Sequence, residues 1–480
     1  GTGPSPLLEL LPVAIAMGAE SRLGSGPVAL LTRLAPLLQQ ASSLLSNQPP
    51  LVSTMVPGDP LIDELFPDVA HGIEWGLGRM EAFLHDTGDP HLGIPCVHVG
   101  GTNGKGSVAS MVATVLVEAG HEAALYTSPH LCSFRERFQI GGEPVGDDEL
   151  RDLARELGPE IRRHALTFFE ATTGLAFHLF QRRAVEVSVI EVGLGGRLDA
   201  TNVVAPFLTA ITNVDLDHCD YLGSTLSEIA MEKAGIIKTG VPLLTAEADE
   251  RIRSVLSATC DSLRSPFIAV PSDVGQMSVE VREDHTAFDV STTEWGELRL
   301  QTPLLGEHQA VNGALAVGLL ERMPRKFRPD RAALMGGMSR VDWPGRVQVE
   351  HLDGTTWVFD MAHNTAGAAA LAAVLGHLKL HRPVVVLTAV LGDKDWREML
   401  PPLFKRADHA ILTQAPSAPM ARRWDPQEAA TDTGTEIAEI RADFDDALDR
   451  ARELAGSGTI VVTGSAHTVG DALRGLGLGG

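Results

Sequence analysis

The residues of this chain best suited to chemistry form a glycine-rich segment, GTNGKGS at 101–107. It follows an apolar stretch and precedes a helical pattern, which is the context of a phosphate-binding loop. Glycines let backbone N–H groups converge on phosphate oxygens, a helix N-terminus favours negative charge, and a lysine adds a mobile cation. The segment differs from the standard loop because a glycine separates the lysine from the hydroxyl residue. The predicted phosphate contacts are Gly101, Thr102, Asn103, Gly104, Lys105, Gly106 and Ser107.

Glu191 ends a very apolar stretch, 185–192, and GLGG follows it directly. An acidic residue at the carboxyl end of a parallel strand, beside a phosphate loop, is well placed to hold Mg²⁺. The alternative is a carboxylate that only caps the strand. Arg197, Asp199, Thr201 and Asn202 come next in the chain and are candidates for lining a substrate pocket.

Two further candidates lie near the ends of other elements. His218 closes the segment NVDLDH, 213–218, and would act as a neutral imidazole ligand or as a group that orients a metal or phosphate. A structural histidine is the alternative. Lys233 ends a helical pattern, where it would be a surface charge, an anion contact or, near metal sites, an amine that reacts with CO₂ to form a carbamate.

The second half of the chain adds Arg346, in the segment WPGR, and Asp360 and His363, in the segment DMAHN. Asp360 ends a predicted strand, so it should face the crevice in which such sheets bind ligands. A salt-bridged arginine and an Asx turn would explain these residues equally well.

Alternating strand and helix patterns from about residue 57 position these groups. Continuous apolar strands between helices predict an α/β fold: a P-loop-containing, mostly parallel sheet domain with a second, smaller Rossmann-like α/β domain. We predict a low-charge tail of unknown role at 1–56 with one amphipathic helix, a central ATP-binding domain at 57–338 and a C-terminal α/β domain at 342–480. Period-two alternation between 278 and 302 predicts an antiparallel excursion at the edge of the first sheet.

Composition narrows the partners. The net charge of −23, from 39 Lys+Arg and 62 Asp+Glu, disfavours nucleic acid and anionic membranes. The four cysteines lack metal-ligand or CxxC spacing and are expected to be reduced thiols. There is no uninterrupted apolar run of about 18 residues, so neither a membrane span nor a signal peptide is expected. A cytoplasmic protein is the resulting expectation.

Taken together, these segments resemble folylpolyglutamate synthase/dihydrofolate synthase, a branch of the Mur ligase family. The resemblance spans roughly residues 60–475 and leaves out only the tail. The matching stretches, in the family's order, are GTNGKGS (101–107), YTSPHL (126–131), TFFEATTGLAF (167–177), EVGLGGRLDATN (191–202), LDHCDYLGSTLSEIAMEKAGIIK (216–238), GEHQAVN (306–312), WPGR (343–346), DMAHN (360–364) and GDKD (392–395). One departure is Met361, where many relatives have glycine.

The resemblance implies the following roles. Lys105 would contact the ATP phosphates, and Lys233 would be a carbamylated lysine. The implied Mg²⁺ ligands are Ser128, Glu191 and His218. The implied nucleotide contacts beyond the loop are Asn312, Arg346, Asp360 and His363. Thr167 and Asp199 would face the pterin-containing substrate.

The implied reaction uses ATP to convert a carboxylate into an acyl phosphate, which the amine of L-glutamate then attacks. The acid would be dihydropteroate, a (tetrahydro)folate polyglutamate or both, and the sequence leaves this choice open. The family resemblance also implies a monomer.

Three other readings compete with this one. A peptidoglycan-type Mur ligase needs an N-terminal UDP-sugar domain, and only about 100 residues precede the loop. A nucleotide switch is disfavoured by the added glycine and by the large second α/β unit. A catalytically inactive binding protein is disfavoured because every residue needed for the chemistry is present.

Overall fold

The computed structural model describes residues 59–66, 69, 74–271, 277–433 and 437–479. All described residues belong to one compact unit. The predicted helix of the tail lies outside the described residues.

The first sheet has eight strands, with the spatial order β4-β3-β2-β5-β1-β6-β7-β8. The strands β2, β5, β1, β6, β7 and β8 are parallel, and β3 and β4 add an antiparallel edge. Their bounds are β1 Cys96–Gly100, β2 Ala123–Tyr126, β3 Phe138–Ile140, β4 Glu143–Pro144, β5 Val187–Glu191, β6 Leu208–Ile211, β7 Leu243–Thr245 and β8 Phe267–Ala269.

Helices cover both faces of this sheet, because its central strands are buried on both sides and carry almost only apolar residues. Short helices fill several of the connections. The helices are α1 Pro60–Leu65, α2 Gly78–Asp86, α3 Lys105–Glu118, α4 Asp147–Arg163, α5 Phe168–Arg182, α6 Cys219–Leu222, α7 Leu226–Ala234 and α8 Glu250–Leu263.

The predicted antiparallel excursion is present, but its predicted place was wrong. Strands β9 Val279–Val281, β10 Thr286–Thr292 and β11 Gly296–Thr302 form a separate three-stranded sheet. Alternation of period two shows that one face of a strand is buried but does not show which strand is its partner. Here the apolar face packs on the core of α3 and of the two following helices, α9 Glu307–Arg322 and α10 Arg331–Ser339.

The second α/β domain has a six-stranded sheet of order β12-β13-β17-β14-β15-β16. All its pairs are parallel except β12 with β13 at the edge, as the sequence predicted for a Rossmann-like unit. Its elements are β12 Gln348–Leu352, β13 Thr355–Asp360, α11 Thr365–His377, β14 Val384–Thr388, α12 Trp396–Phe404, β15 His409–Leu412, α13 Pro426–Thr433, β16 Ala438–Ile440, α14 Phe444–Ala455, β17 Thr459–Thr463 and α15 Ala466–Gly475.

In the part of the chain that the structure describes, no helix combines the length and the apolar character that a membrane span requires.

Candidate active site at the phosphate loop

The segment 101–107 follows β1 and continues into the first turn of α3, as predicted. Gly101 has a φ of +140°, and a Cβ atom there would lie 1.8 Å from the hydroxyl of Thr212. Only glycine fits such a close approach. The loop is fixed from the side, because the N–H of Thr102 donates to the carbonyl of Asn213 and that of Asn103 to the Asn213 side chain.

Helix α3 begins at Lys105 without a side-chain cap, since Gly104 is its N-cap residue. The first N–H groups of a helix have no partner within the helix and therefore suit an anion. Lys105 Nζ lies 3.2 Å from the carbonyl oxygens of Gly101 and Thr102, and within the described residues it forms no ion pair with a carboxylate. This arrangement is a cationic cradle that can accept phosphate oxygens.

A second amine reaches the same loop. Lys233, at the end of α7, is almost fully buried, and its Nζ donates to the Gly101 carbonyl at 2.8 Å. Burial, reinforced by the positive charge of Lys105, lowers the pKa of Lys233 to about 7. A large fraction of this amine is therefore unprotonated near neutral pH, which is the form that reacts as a nucleophile.

Glu191 ends β5, the strand beside β1. Its side chain is buried and accepts one hydrogen bond, at 3.0 Å, from the N–H of Ser128, which follows β2. Burial raises the pKa of Glu191, and the nearby charge of Lys105 opposes that rise. The structure thus brings Glu191 and Ser128 together, and a buried carboxylate with one hydrogen bond and a neighbouring hydroxyl suits a hard cation.

His218 follows β6, the other strand that pairs with β1 in the first sheet. Its Nε2 is 3.4 Å from Nζ of Lys394, which comes from the second α/β domain. Burial and the charge of Lys394 lower the pKa of His218 to about 3, so the imidazole is neutral, as a metal ligand must be. Among the described residues, no hydrogen bond or ion pair joins His218 to Glu191 or Ser128.

The segment WPGR, between the two domains, packs on the phosphate loop. A Cβ atom at Gly106 would lie 2.9 Å from the indole of Trp343. The glycine that distinguishes this loop from the standard one therefore makes room for the linker. Arg346, three residues on, contributes positive charge near Glu191 and Asp360, and its buried Nε has no hydrogen-bond partner.

Helix α9 lies against the other side of the loop. A Cβ atom at Gly104 would be 2.5 Å from Oδ1 of Asn312, and Gln309 Nε2 lies 3.4 Å from the hydroxyl of Ser107. Asn312 is thus beside the loop, as expected for a nucleotide contact. His308, for which the sequence indicated no role, is half-buried near Arg346, and desolvation lowers its pKa to about 4.

Comparison with known proteins shows the family to which this chain belongs. The Mur ligase middle domain matches residues 99–320, and the Mur ligase glutamate ligase domain matches residues 345–467. The dihydrofolate synthase/folylpolyglutamate synthase of Bacillus subtilis is 32% identical over 420 residues, which cover 84% of this chain and 96% of that protein. The chain belongs to the folylpolyglutamate synthase/dihydrofolate synthase family.

Solved structures of the family agree with the described fold. The folylpolyglutamate synthase of Mycobacterium tuberculosis, complexed with ADP and AMPPCP, has a TM-score of 0.76 at 31% identity and covers 83% of this chain and 95% of its own. An Escherichia coli member in complex with DHPP and ADP has a TM-score of 0.75 at 26% identity, with 88% and 99% covered. The chain is therefore an ATP-dependent ligase of this family.

The second domain of this family member reaches the phosphate loop through a polar cluster. Lys394 forms a buried ion pair with Asp217, whose other oxygen lies 3.1 Å from Nδ2 of Asn364 and 3.4 Å from Nε2 of His363. Asn364 Nδ2 also donates to Asn103 Oδ1 at 2.9 Å. Burial alone would raise the pKa of Asp217, but His363, His218 and Lys394 hold it well below its ordinary value.

Asp217 and Lys394 both lie within the stretches that match the family, but the sequence indicated a role for neither residue. A buried pair between residues 177 positions apart leaves no local pattern. The only available signal was that GDKD and LDH belong to the same set of matching segments.

Three further predicted side chains, those of Asp360, Thr167 and Asp199, hold turns or cap a helix. Asp360 is buried and accepts from the N–H groups of Val347 and Ala362. Burial raises its pKa, and Arg346 opposes that rise. Thr167 caps α5, and its hydroxyl donates to Glu170. Asp199 accepts from two N–H groups of its own loop and from the Thr201 hydroxyl at 2.5 Å.

Proposed function

We propose that this chain joins L-glutamate to a pterin-containing carboxylic acid, dihydropteroate and/or a (tetrahydro)folate polyglutamate, through an acyl phosphate made with ATP. The observation that carries the proposal is the convergence of Lys105 and Lys233 on the Gly101 carbonyl, 3.2 and 2.8 Å away. Lys105 forms no ion pair with a carboxylate of the described residues, and the N-terminus of α3 has no side-chain cap, so the loop holds local positive charge in a strongly acidic protein. Such a site concentrates anionic phosphate.

Phosphoryl transfer needs positioning and charge stabilisation more than covalent help from the protein. Lys105 and the first N–H groups of α3 would hold the γ-phosphoryl group of ATP, and Arg346 would add charge from the linker. A carboxylate oxygen of the substrate attacks phosphorus, the bond to the β-phosphate oxygen breaks, and ADP leaves. The glutamate nitrogen then attacks the acyl carbon and loses a proton, and phosphate departs.

Mg²⁺ is part of this proposal, with Ser128, Glu191 and His218 as its ligands. The ion would supply charge that neutralises the transferring phosphoryl group. Glu191 fits this role because it is a buried carboxylate with a single hydrogen bond. His218 fits in its chemistry because it is neutral, and its role stays a prediction.

Lys233 is proposed to be carbamylated. A lysine amine reacts with CO₂ only when it is unprotonated, and the lowered pKa of about 7 supplies that form. Carbamylation also removes the repulsion between two adjacent ammonium groups, because it converts one of them into an anion. Intact-mass measurement in bicarbonate, and a ¹³C signal from ¹³C-bicarbonate that Lys233→Arg lacks, would detect the carbamate.

The nucleotide would extend from the loop toward α9 and the second domain. The proposed contacts there are Asn312, Arg346, Asp360 and His363. Thr167 and Asp199 are proposed to lie at the pterin acid, where their loops are held rigid by the hydrogen bonds described above. We also propose domain boundaries at 57–338 and 342–480, with 1–56 as a tail of unknown role.

A cytoplasmic monomer without nucleic-acid or membrane partners completes the proposal. The four cysteines are free thiols, which fits a reducing compartment. Sedimentation analysis with and without ATP would test the monomer.

The decisive experiment measures phosphate release from ATP and Mg²⁺ with L-glutamate and either dihydropteroate or tetrahydrofolate. We expect release to require both glutamate and a pterin acid, and the preferred acid will distinguish the two synthase activities. Lys379→Ala, at an exposed lysine remote from the loop, is the matched control for Lys105→Ala. Release that ignores both added substrates would contradict the proposal and favour a nucleotide switch.

A further inference from the structure

One leucine of the first domain is buried in the second. Leu131 follows the Ser128 loop, is 4% exposed, and belongs to the apolar cluster on one face of the six-stranded sheet, with Phe359, Met361 and Val469. A Cβ atom at Gly345 would lie 3.0 Å from Leu131 Cδ2 and 3.1 Å from Met361 Cγ. Met361, the departure from the family pattern, thus packs in the pocket that receives Leu131.

The backbone around Leu131 is also held by the second domain. Arg474 of α15 donates to the carbonyl oxygens of Leu131 and Cys132, at 3.4 and 3.3 Å. A Cβ atom at Gly470 would lie 2.2 Å from the Leu131 carbonyl oxygen. Helix α15 therefore approaches this loop as closely as a glycine permits.

On the first-domain side, the same loop is rigid. The Glu136 carboxylate accepts hydrogen bonds from three consecutive N–H groups, those of Leu131, Cys132 and Ser133, at 2.6 to 2.8 Å. Three residues earlier, the N–H of Ser128 donates to Glu191. The segment 128–133 thus runs from the proposed Mg²⁺ ligands to the second domain and is hydrogen-bonded to first-domain carboxylates at both ends.

We propose that Leu131 is a positioning residue, which sets the Ser128 hydroxyl beside Glu191 only when the second domain receives its side chain between Met361 and Gly470. The inference rests on the proposed function, because it takes Ser128 and Glu191 as Mg²⁺ ligands. It makes metal-dependent nucleotide binding sensitive to an apolar contact that touches neither metal nor nucleotide. Met361 extends the apolar pocket in this chain.

The test compares the affinity of full-length protein for AMPPCP by calorimetry, with excess Mg²⁺ and with EDTA. The ratio of the two affinities isolates the metal, because general damage lowers both values. Residues that orient metal ligands typically change metal affinity by about 10- to 100-fold. We expect Leu131→Ala to lower the ratio by about tenfold, and Leu131→Met, a volume-conserving change, to restore it.

Leu403→Ala is the matched control. Leu403 is a buried leucine of α12 in the second domain, which receives Leu131. It belongs to the apolar cluster on the opposite face of the six-stranded sheet, with Val384 and Val386. Its replacement should leave the ratio unchanged. Gly470→Ala, which pushes on the Leu131 carbonyl, provides a second variant if Leu131→Ala does not fold, with the same expected loss.

Ser128→Ala separates the two hypotheses. If it lowers the ratio while Leu131→Ala and Gly470→Ala leave it unchanged, the positioning role of Leu131 is overturned and the metal assignment stands. If Ser128→Ala also has no effect, the metal role of Ser128 is overturned, and the inference with it. Equal losses in Leu131→Ala and Leu403→Ala would overturn the positioning role in favour of general destabilisation.

Discussion

Two strand ends in this molecule carry charged residues toward the same loop, and they use them differently. After β1, the amines of Lys105 and Lys233 meet at one backbone carbonyl, and neither forms an ion pair with a carboxylate in the described part of the chain. After β13, Asp360 is satisfied by two N–H groups, and Asn364 caps α11 while it reaches Asn103. Charged side chains without an opposite charge beside them are available for substrates, whereas side chains with all their hydrogen bonds made hold the geometry of the backbone. The first end is thus suited to chemistry and the second to orientation.

The largest effect should come from a substitution in the loop after β1. We expect Lys105→Ala to lower kcat by about 10²- to 10³-fold, because it removes a preorganised charge from the transferring phosphoryl group. Steady-state phosphate release measures this, with Lys379→Ala expected to match wild type. A loss of less than about threefold would remove the distinction between the two strand ends.

The ion pair between the domains should give the next largest effect. Removing one partner of a buried ion pair leaves an uncompensated charge. Lys394→Met and Asp217→Asn should therefore each lower kcat/KM, and the double variant should lose less than the sum of the two single losses. We expect a coupling energy of about 2 kcal/mol from the double-mutant cycle. Strict additivity would show that the pair does not orient the second domain.

Lys233 should make stability depend on pH. Its pKa is about 7 in the folded protein against 10.5 ordinarily, so between these values the unfolded chain binds more protons. Stability should therefore rise with pH from about 7 to about 10.5, with a slope of up to about 1.4 kcal/mol per pH unit. Urea unfolding in CO₂-free buffer at several pH values, compared with Lys233→Met, measures this contribution.

In that comparison, wild type should gain stability over Lys233→Met as the pH rises. A difference that is independent of pH would mean that the amine stays protonated in its buried position. Lys233 would then be a fully charged group, and the two strand ends would no longer differ in this respect.

The smallest effect should come from a substitution at the end of β13. Asp360→Asn keeps one oxygen acceptor and faces the other N–H with a donor, so we expect a loss of about 1–2 kcal/mol in unfolding free energy. Asp353→Asn, at an exposed turn residue, is the control. A loss of activity as large as that of Lys105→Ala would show that Asp360 takes part in the chemistry.

Local patterns predicted where the glycine-rich loop and the neighbouring strand end of the first domain lie. Strand, glycine-rich turn and helix are contiguous, so the position of the loop 101–107 and of Glu191 at a strand end followed from apolar runs and glycines. The alternation of strands and helices from about residue 57 and the Rossmann-like second domain were predicted in the same way. These elements have strong periodicity and short range.

Errors arose where the partner of a segment is remote. The alternation at 278–302 predicted the strands but put them on the wrong sheet, and the true antiparallel edge, β3 and β4, was too short to show a period. Thr167 was predicted at the pterin acid, and that prediction remains, yet its hydroxyl is engaged in a capping box with Glu170. A TxxE pattern before an apolar run is the signal for that cap.

The sequence by itself determined the phosphate loop, the α/β class and the family, because each depends on contiguous residues or on the order of motifs. Only the tertiary structure decided why Gly106 interrupts the loop, since the reason is the indole of Trp343 more than 200 residues away. It also decided that Asp217 pairs with Lys394 and that Leu131 is buried in the other domain. Such contacts depend on how two separately folded sheets meet, and short-range patterns of hydrophobicity and propensity carry no record of that geometry.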